Sequence, residues 1–520
     1  MPKKKQAGGV LGVVFGDQLD RRLPEQLGLD RERDTLLMME VRAESEHVPS
    51  HVQRTVLFLS AMRHHAAWLR EDGWRVEYVH LDDPDNTQCF DSEIERACER
   101  IRPDRIVSVR PGEHRVLAML EEAAENAGVE VTIEEDPHFL TTPEDFGTWA
   151  SGRKELVMEY FYREQRKRLD ILMDGNKPIG GQWNLDKENR GTFKKTPRTP
   201  KLPSFEPDEV TRDVIDVVSR EFPDLPGSIE AFNWPVTREQ ALKALDDFID
   251  RRLKNFGTYQ DAMWLGQRTM YHALLSPAMN LKLLHPREIV ERAVAAYEAG
   301  NAPLNSVEGF VRQIIGWREF IRGIYWHEGE EYGDRNELGH EGSLPSFYWD
   351  AKTGMACMAD AVEGVLETGY AHHISRLMVT GNFALIAGID PRAVSDWYLG
   401  MYADAVDWVT LPNTLGMALH ADGGVVGTKP YAASGKYIQR MSNACEHCRY
   451  DVSKRAGEAA CPFNTFYWDF LIRHEDRFKK NHRMRMMLKH VENMDGDERV
   501  EITVSAGQLR ERMGISDQED

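Results

Sequence analysis

The chain has 520 residues, 41% hydrophobic and 29% charged, which suits two or three packed domains and excludes a disordered polypeptide. No run approaches the roughly 18 apolar residues that a membrane-spanning helix needs. The formal charge of −20 excludes blanket binding of polyanions but leaves room for a local basic face.

The basic start is followed by an apolar run, but Asp17 arrives too soon for a signal peptide, so the run reads as a first strand and the protein as cytoplasmic. Further β-rich runs at 35–41, 75–81, 105–109 and 129–133 follow the one at 10–15. Helical periods separate them, most clearly at 51–70, where Val52, Val56, Leu59 and Met62 share a face. This alternation predicts a Rossmann-like α/β domain over 1–140, a parallel sheet with ligands at the carboxyl ends of its strands. Neither G-x-G-x-x-G nor G-x-x-x-x-G-K-[ST] occurs in place, so dinucleotide and P-loop readings lose their support. Over 146–235 the pattern loosens, giving an interdomain segment of 141–235. Within it, 184–203 reads as an exposed linker made basic by Arg190, Lys194, Lys195, Arg198 and Lys201, either a solvated loop or a phosphate-contacting arm.

After Trp234 the chain turns helical, with Thr237 placed to cap and Gln240 three residues on. Helical spacing over 232–253, 286–299, 307–326, 356–368 and 390–402, with few strand-like runs before the tail, predicts a large all-helical domain over 236–520. A basic segment near the end carries Arg477, Lys479, Lys480, Arg483, Arg485 and Lys489, first of all a solvated helix face.

Six cysteines in a chain this long make no disulfide framework. Four of them lie in the helical part. Cys445 and Cys448 form a C-x2-C hook, Cys461 follows with Pro462 behind it, and Cys357 lies far upstream. Four thiolates can close one metal centre. Cys-Pro endings recur in iron–sulfur ligation, zinc competes, and simple packing stays open. Cys89 and Cys98 have no partners at ligand spacing.

Taken together, FGDQL (15–19), GYAHHISRLMVTGNFALI (369–386), DWYLGMYADAVDWVTLPNTLGMA (396–418), CPFNTFYWDFL (461–471) and the cysteine set resemble the photolyase/cryptochrome superfamily. The resemblance spans nearly the whole chain and points to the iron–sulfur bacterial branch, the prokaryotic (6-4) photolyases and related cryptochromes. It implies an α/β antenna domain and a helical domain holding FAD. Tyr259, His272 and Ser276 would lie near the flavin phosphates, although His272-Ala273 stands where typical photolyases have Thr-Ser. Gln313 would meet damaged bases and Arg318 would lie near the cofactor, with Trp317 packing. Arg376 and Asp407 resemble the ion pair beside the isoalloxazine ring, and Asn413 the residue facing flavin N5; an anionic reduced flavin needs a nearby cation.

Met417 breaks the usual tryptophan triad, and Trp397, Tyr398 and Trp349 match the branch's other electron route. His373 matches the lesion-facing histidine, with Leu377 where animal and plant members carry a second one. The branch further implies a four-iron, four-sulfur cluster on Cys357, Cys445, Cys448 and Cys461. It also implies a 6,7-dimethyl-8-ribityllumazine antenna near Phe15, Asp17 and Glu40. The resulting expectation is a monomeric DNA photolyase acting on UV-damaged DNA. A cryptochrome with the same cofactors and an iron–sulfur nucleic-acid-binding protein without flavin are the alternatives.

Overall fold

The computed structural model describes residues 8–516; the basic start at 1–7 lies outside the described residues. Five parallel strands, β1 (Val10–Val13), β2 (Thr35–Met39), β3 (Arg75–Val79), β4 (Arg105–Val109) and β5 (Glu130–Glu134), form one sheet in the order β3-β2-β1-β4-β5. Leu11 pairs with Thr35 on one side and Ile106 on the other, so the strand order reverses at β1. Ligands bind at such a switch point. Central β1 is buried along its whole length, as expected for a sheet covered on both faces. The cover includes α1 (Val52–Glu71), α2 (Phe90–Ile101) and α3 (His114–Ala127).

The segment with the loosened pattern is richer in structure than expected, with helices over Pro143–Ala150, Met158–Leu169 and Glu209–Glu221. A capping box between Thr142 and Asp145 starts the first of them. Beyond it the predicted cap is in place: the Thr237 hydroxyl accepts from the Gln240 amide at 3.2 Å, opening α4 (Arg238–Arg251). The remainder is helical and includes α5 (Leu253–Tyr259), α6 (Leu304–Val311), α7 (Ala356–Thr368) and α8 (Pro391–Met401). The tail, too, is helix over Gly496–Met513, capped by Asp495 and anchored by Ile502, Ala506 and Leu509 at helical spacing. No helix among the described residues is long and apolar enough to cross a membrane.

Sheet and helices meet where β4 ends. The Trp408 amide donates to Gly112 O at 3.2 Å, and a Cβ on Gly112 would lie 2.6 Å from Asp17 Oδ2 and 2.8 Å from Val406. Only glycine lets the two parts approach this closely.

Candidate active site and flanking cavities

Three stretches of the helical part wind as π-helix: Arg312–Arg318, Arg376–Gly381 and Pro412–Ala418. Such turns are rare and recur at functional sites, because the extra residue re-aims the side chains around it. Gln313 lies on the first, Arg376 opens the second and Asn413 lies on the third; the second and third pack together. The amide nitrogens of Gln313 and Asn413 donate back to Gly309 O at 3.2 Å and Val409 O at 2.8 Å. Their amide oxygens are left to accept from something else.

Arg376 makes a two-pronged pair with Asp404 at 2.8 and 3.1 Å, and its Nε donates to Ala371 O. Ser276 Oγ also donates to Asp404, at 2.6 Å. The partner of Arg376 is therefore Asp404, not Asp407. Backbone at Tyr402 and at Val406 is extended, and a helix begins at Asp407, which turns its carboxylate to the opposite side. There Tyr325 OH donates to Asp407 at 2.6 Å. Burial and nearby Glu113 push the Asp407 carboxyl up to about 7. Arg318 is likewise drawn away from Arg376: it pairs with Glu319 at 2.9 Å and lies 4.3 Å over Phe139 in the seam with the sheet.

His272 and His372 stack at 4.6 Å with rings 8° apart. His272 Nε2 and His372 Nδ1 are buried without partners. Burial, with charge from His373, holds His272 down at about 3. The His373 side chain is exposed, yet the protein around it and Arg376 push its imidazole down to about 4. It needs more tuning than an isolated imidazole would. Tyr259 packs face-on against Phe193 at 4.2 Å. Trp397 and Tyr398 lie 5.5 Å apart, with Tyr398 OH donating to Arg376 O at 2.6 Å. Tyr348 is 5.2 Å from Trp397, so this aromatic file begins beside Arg376 and reaches Tyr348; Trp349, next in the chain, is 38% exposed.

At the sheet's switch point a cavity of about 700 Å³, open mouth included, is lined by Phe15, Asp17 and Glu40 together with Glu44, Arg54 and Thr55, and closed by Val406. The Glu40 carboxylate is fully engaged by Arg63 (2.7 and 2.9 Å), Tyr78 OH (2.6 Å) and the Leu81 amide (2.9 Å), so it shapes the wall. Arg54 Nε and Thr55 Oγ1 are buried without partners. Burial pushes the Asp17 and Glu44 carboxyls up. Glu44 nevertheless accepts from Arg115 at 2.7 Å.

All four predicted ligand cysteines line a second cavity of about 320 Å³. Cys357 sits in the first turn of α7, Cys445 in the turn Ala444–His447, and Cys461 caps Pro462–Arg473. Among the described residues no three His, Cys, Asp or Glu side chains are spaced to hold one metal ion. The sulfurs ring a space instead. Burial, then the neighbouring thiols, push Cys357 well up, and burial lifts Cys445 to about 11 and Cys461 to about 12.

A family model described as deoxyribodipyrimidine photo-lyase-related protein matches residues 12–234. The (6-4) photolyase of Agrobacterium fabrum is 48% identical over 496 residues, covering 95% of this chain and 98% of that protein. The chain belongs to the photolyase/cryptochrome family. Its fold matches a class III photolyase from Agrobacterium tumefaciens with a TM-score of 0.56 at 16% identity, covering 99% of this chain and 98% of that one. A Synechocystis cryptochrome matches with a TM-score of 0.54 at 16% identity over 83% and 88% of the two chains.

Within this photolyase fold, sequence reasoning missed Asp404, Tyr348, the buried polar atoms Arg54 Nε and Thr55 Oγ1, and the docking of Phe193. The stretch Asp404-Ala-Val-Asp407 offers two carboxylates, and nothing in it says which one faces Arg376. For Phe193 a signal existed, an aromatic residue in an otherwise basic polar run.

Proposed function

We propose that the protein repairs (6-4) pyrimidine–pyrimidone photoproducts in DNA under blue light, using FAD. The observation that carries this is the set of three π-helical stretches bearing Gln313, Arg376 and Asn413, the second and third packed together around the Arg376–Asp404 pair. The Agrobacterium relative, named a (6-4) photolyase, supports the lesion type.

The residues fit a flavin: a paired cation at Arg376, and unpartnered buried atoms at His272 Nε2, His372 Nδ1 and Thr414 Oγ1. Tyr259, His272, Ser276, Arg376 and Asn413 would hold it, with Asp404 in the place expected of Asp407. When bound and reduced, the flavin supplies an electron on absorbing light. Tyr398, Trp397 and Trp349 would carry electrons inward from the surface to restore it. Gln313 would orient the extruded lesion; flipping is cheap for a base whose stacking is already impaired. His373 would give the proton that lets the hydroxyl move between bases, and Leu377 offers no second donor. DNA phosphates beside His373 would lift its pKa toward neutrality.

Support for a four-iron, four-sulfur cluster comes from the four thiols of Cys357, Cys445, Cys448 and Cys461, all of which line one cavity. The switch-point cavity would take 6,7-dimethyl-8-ribityllumazine, its polar edge and ribityl chain meeting Asp17, Glu44, Arg54 and Thr55. Residues 1–140, 141–235 and 236–520 would be the antenna, connecting and catalytic parts of a cytoplasmic monomer. The test is conversion of defined (6-4) and cyclobutane lesions in an oligonucleotide under blue light. We expect restoration of the (6-4) substrate alone. Flavin-loaded protein that repairs neither would make it a photoreceptor instead.

A further inference from the structure

By composition the stretch 184–203 is a free loop, yet it is tied down at five points. Asn189 Nδ2 donates to Asn305 O at 3.1 Å and Asn305 Nδ2 returns a bond to Asn189 Oδ1 at 2.9 Å. The Gly191 amide donates to Thr258 O at 2.8 Å. A Cβ at Gly191 would lie 2.8 Å from that oxygen and 2.9 Å from the Thr258 methyl, so the approach demands glycine. The Phe193 ring lies on Tyr259 at 4.2 Å and 20°, with Tyr271 5.7 Å from Tyr259 and 6.5 Å from Phe193, making a cluster of three near-parallel rings. Tyr271 OH then donates to Arg198 O at 3.2 Å, and Thr199 Oγ1 donates to Gln267 at 3.2 Å. The outer side differs. Arg190, Lys194, Lys195 and Arg198 are all exposed, and among the described residues none is held in an ion pair, in contrast to Asp186 just upstream, which binds Arg312.

We propose that residues 189–199 form a clasp that couples DNA binding to flavin retention. Its inner face, through Phe193, closes on the 258–271 segment that would hold the flavin phosphates; its outer face presents cations to DNA phosphates. The proposal rests on the FAD and DNA reading above. A strap loaded by DNA on one side is held shut on the other. By linkage the factor by which DNA tightens flavin is the factor by which flavin tightens DNA.

The test follows flavin release, as a rise in free-flavin fluorescence after dilution, with and without undamaged duplex. Duplex binding is read separately by anisotropy of a labelled duplex. We expect duplex to slow release from the wild-type holoprotein several-fold. Phe193→Ala should release flavin about three- to tenfold faster, the range that removal of a stacked aromatic ring corresponds to. Duplex should still bind this variant but no longer slow its release, while Phe193→Tyr keeps the ring and should behave as wild type. Gly191→Ala lifts the strap at its docking point and should reproduce the loss. The clasp is wrong if Phe193→Ala holds flavin as tightly as wild type, or if duplex slows release equally from both. Wild-type protein that retains no flavin would overturn the FAD reading and the clasp together; flavin-loaded protein with uncoupled release overturns the clasp alone.

Discussion

The four-cysteine cavity and the π-helical site both gather residues from distant parts of the chain, but they treat their polar groups oppositely. Around the cysteines, burial and then the neighbouring thiols disfavour the thiolates of Cys357, Cys445 and Cys461, outweighing the nearby backbone N–H groups and Lys436. At the π-helical site Arg376 already has Asp404, Ser276 fastens the same carboxylate, and Gln313 and Asn413 are tied to their own helices. On the cluster reading, the first region would need its group in order to be stable. The second is preformed and needs its group in order to work.

The sharpest way to break that contrast is Cys445→Ser. Because metal binding and folding are one equilibrium in such a site, we expect insoluble or iron-free protein, destabilised by more than about 4 kcal/mol. Soluble variant protein with wild-type Tm and full flavin content would show that the cysteine cavity stands without its cluster. His373→Ala probes the other region. It should keep flavin, iron and DNA binding while slowing (6-4) repair by about 10²- to 10⁴-fold, the usual loss on removing a general acid. Repair at the wild-type rate would return His373 to a merely structural role.

Preformation also predicts a difference between two carboxylates three residues apart. Asp404→Asn removes the anion facing Arg376 and should cost about 3 kcal/mol, with loss of flavin from the purified protein. Asp407→Asn should stay within about 1 kcal/mol, because a carboxyl pushed up to about 7 is already half protonated near neutrality and an amide oxygen can still accept from Tyr325. Equal flavin content in the two variants would erase the distinction.

What separates these carboxylates also marks what the sequence could reveal. The strands were legible because β-rich runs recur between helical periods, and the Thr237 cap because its geometry is local. Cysteine is rare enough that the C-x2-C hook of Cys445 and Cys448, with Cys461 behind it, stands out. A π turn leaves no such trace: Pro412–Ala418 reads like any helix until the extra residue shifts its register. The pairing of Arg376 depends on that register and on extended backbone between Tyr402 and Val406, both properties of the folded chain.

A smaller effect is expected at the basic strap. Replacing Arg190, Lys194 and Lys195 together by Ala should weaken damaged and undamaged duplex about equally. It should flatten the plot of log affinity against log salt by about 3, close to one for each phosphate no longer neutralised. An unchanged slope would mean that these cations face solvent only.

The smallest effect at neutral pH concerns His272, and it grows with acid. A group held neutral by burial adds a proton less readily in the folded protein than in the unfolded chain, whose histidines titrate near 6.5. With His272 pushed down to about 3, the unfolded state binds more protons than the folded state between those two values. Stability therefore rises with pH across that window; it is fully present above 6.5 and is lost as the pH falls toward 3. The slope for one such group is at most about 1.4 kcal/mol per pH unit. His272→Phe keeps a flat ring against His372 but takes up no proton. It should lie within about 1 kcal/mol of wild type at pH 7 and become the more stable of the two as the pH is lowered through 5, read as Tm against pH. Parallel curves for the two proteins would show that His272 takes up its proton as readily folded as unfolded.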